Sequence, residues 1–562
     1  MIFRTFDLAT LRLALTAPAA VLALSLALPL PLAAQGPAPT GSATGPATGA
    51  LAVQTALPQL MAYRRALAEA AAGDAAIAEF YRARDYAPLW TGPEDGARRA
   101  ALITALSQAP LHALPAGRHD AGALMRAFAE ARSEGDRGRL EVGMSRAFLQ
   151  YARDIQTGVL VPSQVAAPIL REVPRRDRGE LIAGFAASDP DTFLRALPPA
   201  APEYARLMRA RAMLERQVAR GGWGPAVTAP VLRPGDSGAQ VVELRNRLIR
   251  MGYLGRTATL AFDGPMQAAV QAFQIDHGLD PDGVAGEATM AAINIPPEVR
   301  LQSITVAMER ERWINIPRGK RHIWVNLADF TAKIVDDGKV SFETRAVIGG
   351  RPGDRQTPEF SHRMTYMELN PDWTVPRGII RRDYLPALQR NPHALRHLQV
   401  IDRAGRVVPR EAIDFSAYTA GNFPFNLRQP PGRSNALGLV KFMFPNPHAI
   451  YLHDSPEKHL FSRESRAYSS GCVRLADPFE FAYALLAPQT DNPRDLFHSV
   501  LNRGRPLERI YLDDPVPIHL EYRTAFTTAK GRVQYRNDIY GRDAAIWEAL
   551  SRAGVALAGV QG

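Results

Sequence analysis

Apolar positions recur with a helical period through the first half of the chain and with a strand period through much of the second. One stretch fits neither. The run from Leu13 to Leu32 carries no charge, follows Arg4 and Arg12, and ends at Ala33-Ala34 before Gln35. Positive, apolar and small in that order is the pattern of a Sec-type signal peptide over residues 1–34. An uncleaved signal anchor is the alternative, because about 20 apolar residues can span a bilayer; Pro18, Pro29 and Pro31 weaken a continuous spanning helix. No cysteine stands at the end of the run, which argues against a lipoprotein anchor. Residues 35–52 lack large side chains and read as a flexible linker. From 53 to 230 the pattern predicts a helical domain, with amphipathic stretches at 65–82, 97–108, 119–132 and 138–155. Phe80, Tyr81, Tyr86 and Trp90 are the aromatics expected to pack it.

Residues 231–296 form a unit of their own. Val241, Leu244 and Leu248 recur at i, i+3 and i+7 and give one apolar helix face, with Gly252 as its stop. Asp263-Gly264 opens a second helix that ends near Gly278, Asp282-Gly283 makes a turn, and a short helix near 289–293 closes the unit. His277 stands alone and reads as a surface or capping residue. The text LRPGDSGAQVVELRNRLIRMGYL…FDGPMQAAVQAFQIDHGLDPDGVAGEAT resembles the small three-helix peptidoglycan-binding domain found beside cell-wall enzymes.

After Arg321 the period shortens to two. Ile323, Val325 and Leu327 alternate with Trp324 and Asn326; Asp336, Asp337 and Gly338 predict a hairpin turn; Val340, Phe342 and Thr344 resume the alternation. Further strands are expected at 364–369, 439–444 and 449–453. Residues 381–434, rich in Pro, Arg and His, read as an irregular insertion of the lid or binding-loop kind. Strand-like text returns beyond 510, and a short helix ends the chain.

Composition narrows the picture only in part. A chain of 562 residues needs two to four cores, and 46% hydrophobic with 22% charged residues is an ordinary globular balance. The formal charge of +11 favours an anionic partner. The basic residues are dispersed, without the basic stripe and interleaved aromatics of a nucleic-acid groove, so nucleic acid is not an expected partner. The single cysteine excludes an intramolecular disulfide. That thiol is either a buried filler or a reactive group.

Its surroundings favour the second. They read IYLHDSPEKHLFSRESRAYSSGCVRLADPFEF. Ser469, Ser470 and Gly471 are small enough to let a substrate approach the backbone. On a strand, Tyr451 and His453 share one face while Ile450 and Leu452 enter the core. Asp477, Pro478 and Glu480 resemble a helix start, which places Cys472 on a strand-to-helix connection. A thiol attacks a carbonyl as the thiolate, so a neighbouring His is needed as base and proton donor. His453 is the candidate, with His459 in reserve. The N–H groups of Gly471 and Cys472 are candidate oxyanion donors. A zinc site built from Cys472, His453 and His459 lacks the usual spacings, and no metal is expected.

The H…SSGCVR string, with His453 placed 19 residues before Cys472, resembles the YkuD-type L,D-transpeptidase catalytic domain. RQTPEF at 355–360, NPDWTVP at 370–376, NALGLVKFMFPN at 435–446 and YLHD at 451–454 resemble its large Gram-negative subgroup. The resemblance implies a multidomain α+β chain. A helical scaffold (53–230) and a three-helix peptidoglycan-binding domain (231–296) would precede a mostly β catalytic domain (322–510) with an inserted lid (381–434). A C-terminal extension (511–562) would follow. It further implies Cys472 as nucleophile and His453 as base, oriented by a backbone carbonyl. Arg474 takes the Arg/Asn position, Tyr451 that of an active-site Tyr, and Ser470 a place where many members carry His. Trp373 and Asn370 would line the substrate groove.

The implied reaction joins peptidoglycan stems through a thioester, with loss of D-alanine, without a cofactor and with sensitivity to carbapenems. L,D-carboxypeptidase action, attachment of a lipoprotein to the wall, and a non-catalytic wall-binding scaffold remain open. The implied location is the periplasm; oligomeric state is not readable.

Overall fold

The computed structural model describes residues 48–557, with side chains from Pro58 onward. The expected signal peptide and most of the expected linker lie outside the described residues; a helix already runs over Thr48–Ala71. Among the described residues no helix is long and apolar enough to cross a membrane.

The helical region is more finely divided than its apolar period suggested. The stretch 65–82 breaks at Asp74, whose carboxylate caps the helix Ala75–Ala83 by accepting from the Ile77 N–H. Gly96–Ser107, Ala121–Glu130, Glu134–Thr157, Arg178–Ala187 and Pro202–Ala219 follow. Phe80, Tyr81 and Trp90 are buried in their shared core, with Tyr86 packed against it.

The next unit follows its capping residues closely. Helices span Ala239–Met251, Gly264–His277 and Glu287–Ile293, and the first two end at Gly252 and Gly278 in left-handed conformation. Val241, Leu244, Leu248, Val270 and Phe273 form the core. His277 is not a surface residue. It is buried, stacks on Phe273 at 3.7 Å and meets the Tyr535 ring at 5.4 Å. Burial, reinforced by the nearby Arg300, pushes it down to about 3. A lone His in a polar sequence context gives no hint that a distant Tyr will cover it.

A long buried helix, Pro297–Trp313, leads into the β domain. Its strands are β1 Arg321–Asn326, β2 Thr331–Asp336, β3 Lys339–Gly349 and β4 Phe360–Leu369. Then come β5 Trp373–Thr374, β6 Gln399–Ile401, β7 Asn426–Gln429, β8 Val440–Met443 and β9 Leu452–His453. The last are β10 Ala467–Ser469, β11 Val473–Leu475, β12 Glu508–Glu521, β13 Ala525–Thr527 and β14 Val533–Tyr535. Asp337 and Gly338 both have positive φ, as a two-residue hairpin between β2 and β3 requires. The main sheet runs β10-β3-β11-β9-β8-β4-β12-β1-β2, and the additional β2–β3 pairing closes it on itself. Ile323, Val325, Met364, Met367, Phe442, Leu452 and Val473 fill its interior.

Two boundaries differ from the sequence reading. β12 lies between β4 and β1, so the sheet takes in residues up to Glu521, beyond the boundary expected at 510. The Asp- and Pro-rich stretch within it is accommodated by a register shift between Tyr511 and Val516. The insertion is also not irregular. β5, β7 and β6 make a small antiparallel sheet over a separate core that includes Val375, Leu388, Val400, Phe415 and Leu427.

Candidate active site

Strand pairing assembles the site. β9 and β11 run parallel with Leu452 opposite Val473 and His453 opposite Arg474. Leu452 and Val473 point into the core and are fully buried. Side chains alternate along a strand, so Tyr451, His453, Cys472 and Arg474 are turned to the other face. That face opens into a cavity of about 610 Å³, which all four residues line. Ser470 and Trp373 line it too, Trp373 from the insertion with Tyr384 edge-on at 6.2 Å.

Cys472 sits between two short strands, β10 and β11, rather than at a strand-to-helix connection. The helix Pro478–Leu486 begins later, and Asp477 makes no cap bond to it but accepts from the Thr344 hydroxyl at 2.8 Å. The thiol S–H is directed at the Ala449 carbonyl at 3.6 Å, and no hydrogen bond joins it to His453. Burial pushes the thiol pKa up, while the Tyr451 amide, Lys441, the Tyr451 hydroxyl and Arg474 oppose the rise.

His453 donates from Nδ1 to the backbone carbonyl of Asp454. A carbonyl can only accept, so Nδ1 carries the proton of the neutral ring and Nε2 keeps its lone pair. Burial, followed by the Arg474 charge, pushes the ring down to about 3. Thiol and imidazole therefore both rest neutral. The Asp454 carboxylate serves the loops instead, accepting from the Leu439 and Ser455 amides and from Lys458. Gly438 makes this possible: its φ is +62°, and a Cβ there would lie 2.2 Å from an Asp454 oxygen.

Arg474 pairs with Glu457, and its buried Nε has no protein partner. Tyr451 is a partly buried ring 5.8 Å from His453, with the Lys441 ammonium 4.1 Å over its centre. Burial, with Cys472 next, raises its phenol well above the usual range.

Two candidates fall elsewhere. Asn370 does not line the cavity. It holds a left-handed turn, donating from its side chain to the Leu501 carbonyl at 2.9 Å and from its backbone to Leu439 at 3.0 Å. Gly471 presents no free N–H, because that group donates to Ser469 Oγ at 3.1 Å. The Ser469 hydroxyl in turn donates to the Cys472 carbonyl, which closes a small ring within the loop. Among the described residues no acceptor meets the Cys472 N–H. The reserve histidine, His459, lies exposed outside the cavity. Tyr384, Asp383, His448 and Glu457 line the cavity without any signal in the sequence. They come from loops and from the insertion, where no period marks a face.

The family model "L,D-transpeptidase catalytic domain" matches residues 320–517. Residues 320–517 thus match the YkuD family of L,D-transpeptidase catalytic domains. The model "Scaffold domain" matches 75–210 in front of it, and "Putative peptidoglycan binding domain" matches 237–293. A Haemophilus influenzae protein named "Putative L,D-transpeptidase" is 33% identical over 242 residues, which is 42% of this chain and 48% of that protein. The chain thus spans about half the length of this relative. The crystal structure of an L,D-transpeptidase from Xylanimonas cellulosilytica aligns at 16% identity and a TM-score of 0.16, covering 53% of this chain and 100% of that one. One from Stackebrandtia nassauensis aligns at 14% and 0.21, covering 53% and 97%. The matched region comprises the closed sheet with its inserted subdomain, and the four-residue face described above lies within it.

Proposed function

We propose that the protein is an exported cysteine L,D-transpeptidase that forms 3→3 crosslinks in peptidoglycan. The observation that carries this reading is the shared face of Tyr451, His453, Cys472 and Arg474 lining one cavity. In the proposed reaction a tetrapeptide stem enters the cavity and the thiol turns from the Ala449 carbonyl toward His453. Nε2 takes the proton as sulfur attacks the carbonyl of the third residue, and the C–S bond forms. The peptide C–N bond then breaks, and the imidazolium returns the proton to the departing D-alanine amine. The side-chain amine of a second stem attacks the thioester, loses a proton to His453 and frees the thiol. The unpaired Arg474 Nε is suited to a stem carboxylate. Retention on the wall is assigned to the 237–293 unit, and the positively charged surface suits an acidic polymer.

Incubating the purified protein with disaccharide tetrapeptide and weighing the products tests the reading. Crosslinked dimers with loss of one D-alanine support it. Tripeptide without dimer would replace it with L,D-carboxypeptidase action.

A further inference from the structure

The oxyanion that forms during attack on a carbonyl needs a donor already in place. Gly471 N–H is occupied, which leaves the Cys472 N–H. Its direction is set by the peptide it belongs to. In a planar trans peptide the N–H points opposite to the preceding carbonyl. The Gly471 carbonyl accepts a hydrogen bond from Thr357 Oγ1 at 2.7 Å, and Thr357 is fully buried and outside the cavity. Holding that carbonyl on the buried side turns the Cys472 N–H to the open side, where the thiol lies. Gly471 can adopt the required φ of +122° because it lacks a side chain; a Cβ would press on Ile450 at 3.2 Å.

Thr357 is itself held at every polar atom. Its Oγ1 accepts from the Gly349 N–H at 2.9 Å, and its carbonyl accepts from Arg542 at 2.8 Å. Its N–H donates to the Tyr540 hydroxyl at 3.4 Å, and that hydroxyl donates to the Gly349 carbonyl. Two residues on, Glu359 exchanges backbone hydrogen bonds with Pro168 and Leu170 of the helical region and pairs with Arg310 and Arg542. The helical region and the C-terminal segment thus converge on one short stretch, 357–359, whose hydroxyl reaches the loop of Cys472.

We propose that Thr357 is a positioning residue that aims the Cys472 N–H as the oxyanion donor. This rests on the reading of Cys472 as an acyl-accepting thiol, but not on the choice of peptidoglycan as substrate. The test therefore uses two small probes on the full chain. Acylation by p-nitrophenyl acetate passes through an oxyanion: the thiol loses its proton, C–S forms, and C–O breaks to release nitrophenolate. Alkylation by iodoacetamide displaces iodide at carbon and forms no oxyanion. Thr357→Val keeps the shape and removes the hydroxyl. It is expected to slow acylation about 10- to 100-fold while leaving alkylation within about twofold, and Thr357→Ser is expected to restore acylation. Equal slowing of both reactions would reduce Thr357 to a purely structural role and overturn the proposal, as would unchanged acylation in Thr357→Val. If wild type acylates with nitrophenyl acetate yet makes no product from tetrapeptide, the proposed substrate fails and the role of Thr357 stands. If Cys472 is not the site acylated, both fail.

Discussion

The two walls of the cavity are built differently. The wall carrying Tyr451, His453, Cys472 and Arg474 is two paired strands whose reverse faces, Leu452 and Val473, are fully buried. The other wall, with Trp373, Asp383 and Tyr384, belongs to an inserted subdomain that has its own small core. Near Cys472, that subdomain is tied to the nucleophile's wall by partly exposed polar contacts. Arg382 pairs with Asp354 at 2.6 Å, Asp383 with Arg355 at 2.9 Å, and Arg382 reaches the Ser470 hydroxyl at 3.4 Å. Core burial stabilises strongly and without tolerance for displacement, whereas partly exposed ion pairs contribute about 0–1 kcal/mol each and weaken with salt. The proposed chemistry sits on the wall backed by the core, and the wall proposed to meet the acceptor is tied to it by such pairs.

The largest expected effect is on the first wall. Cys472→Ala should lower acyl transfer at least about 10³-fold, measured by mass of the acyl-enzyme and products, with the thermal transition unmoved. If that variant kept its activity, the rigid wall would not be the reacting one. Next comes pH. Because burial raises the thiol and lowers His453 to about 3, no thiolate–imidazolium pair is preformed at neutral pH. The thiolate fraction should then grow as pH rises toward the raised pKa. Iodoacetamide alkylation should increase about tenfold per pH unit from 6 to 9 without a plateau. A plateau below pH 8 would mean that the pair is charged at rest.

A smaller effect separates the two walls by stability. Leu452→Ala should cost about 2–5 kcal/mol in chemical denaturation, because it opens a cavity directly behind His453. Smallest is the tie between the walls: Arg382→Gln should cost no more than about 1 kcal/mol and should make product ratios less dependent on salt. A loss as large as that of Leu452→Ala would show that the insertion is fixed as firmly as the sheet.

Legibility followed the range of the interactions. The helices at Ala239–Met251 and Gly264–His277 were readable because apolar spacing, Asp263 and the stops at Gly252 and Gly278 all act within a few residues. The facing of Tyr451 and His453 was readable for the same reason, through the period of a strand. The insertion was not, since β5, β6 and β7 are short and their core joins residues from Val375 to Leu427. Nor was the place of β12 between β4 and β1, because its pairing partners lie far away in the chain. Asn370 and His277 were misplaced for a common reason. A polar side chain has no period, and whether it meets solvent, substrate or another loop depends on distant neighbours.

The single thiol, its small-residue approach, the strand face of Tyr451 and His453 and the helical punctuation of the first half all follow from local spacing. The tertiary structure settles which amide beside Cys472 stays free, holds His453 by a backbone carbonyl, and brings Thr357, 115 residues before the thiol, to its loop. Backbone amides carry no residue identity, and their direction is set by whatever long-range contact takes the neighbouring carbonyl.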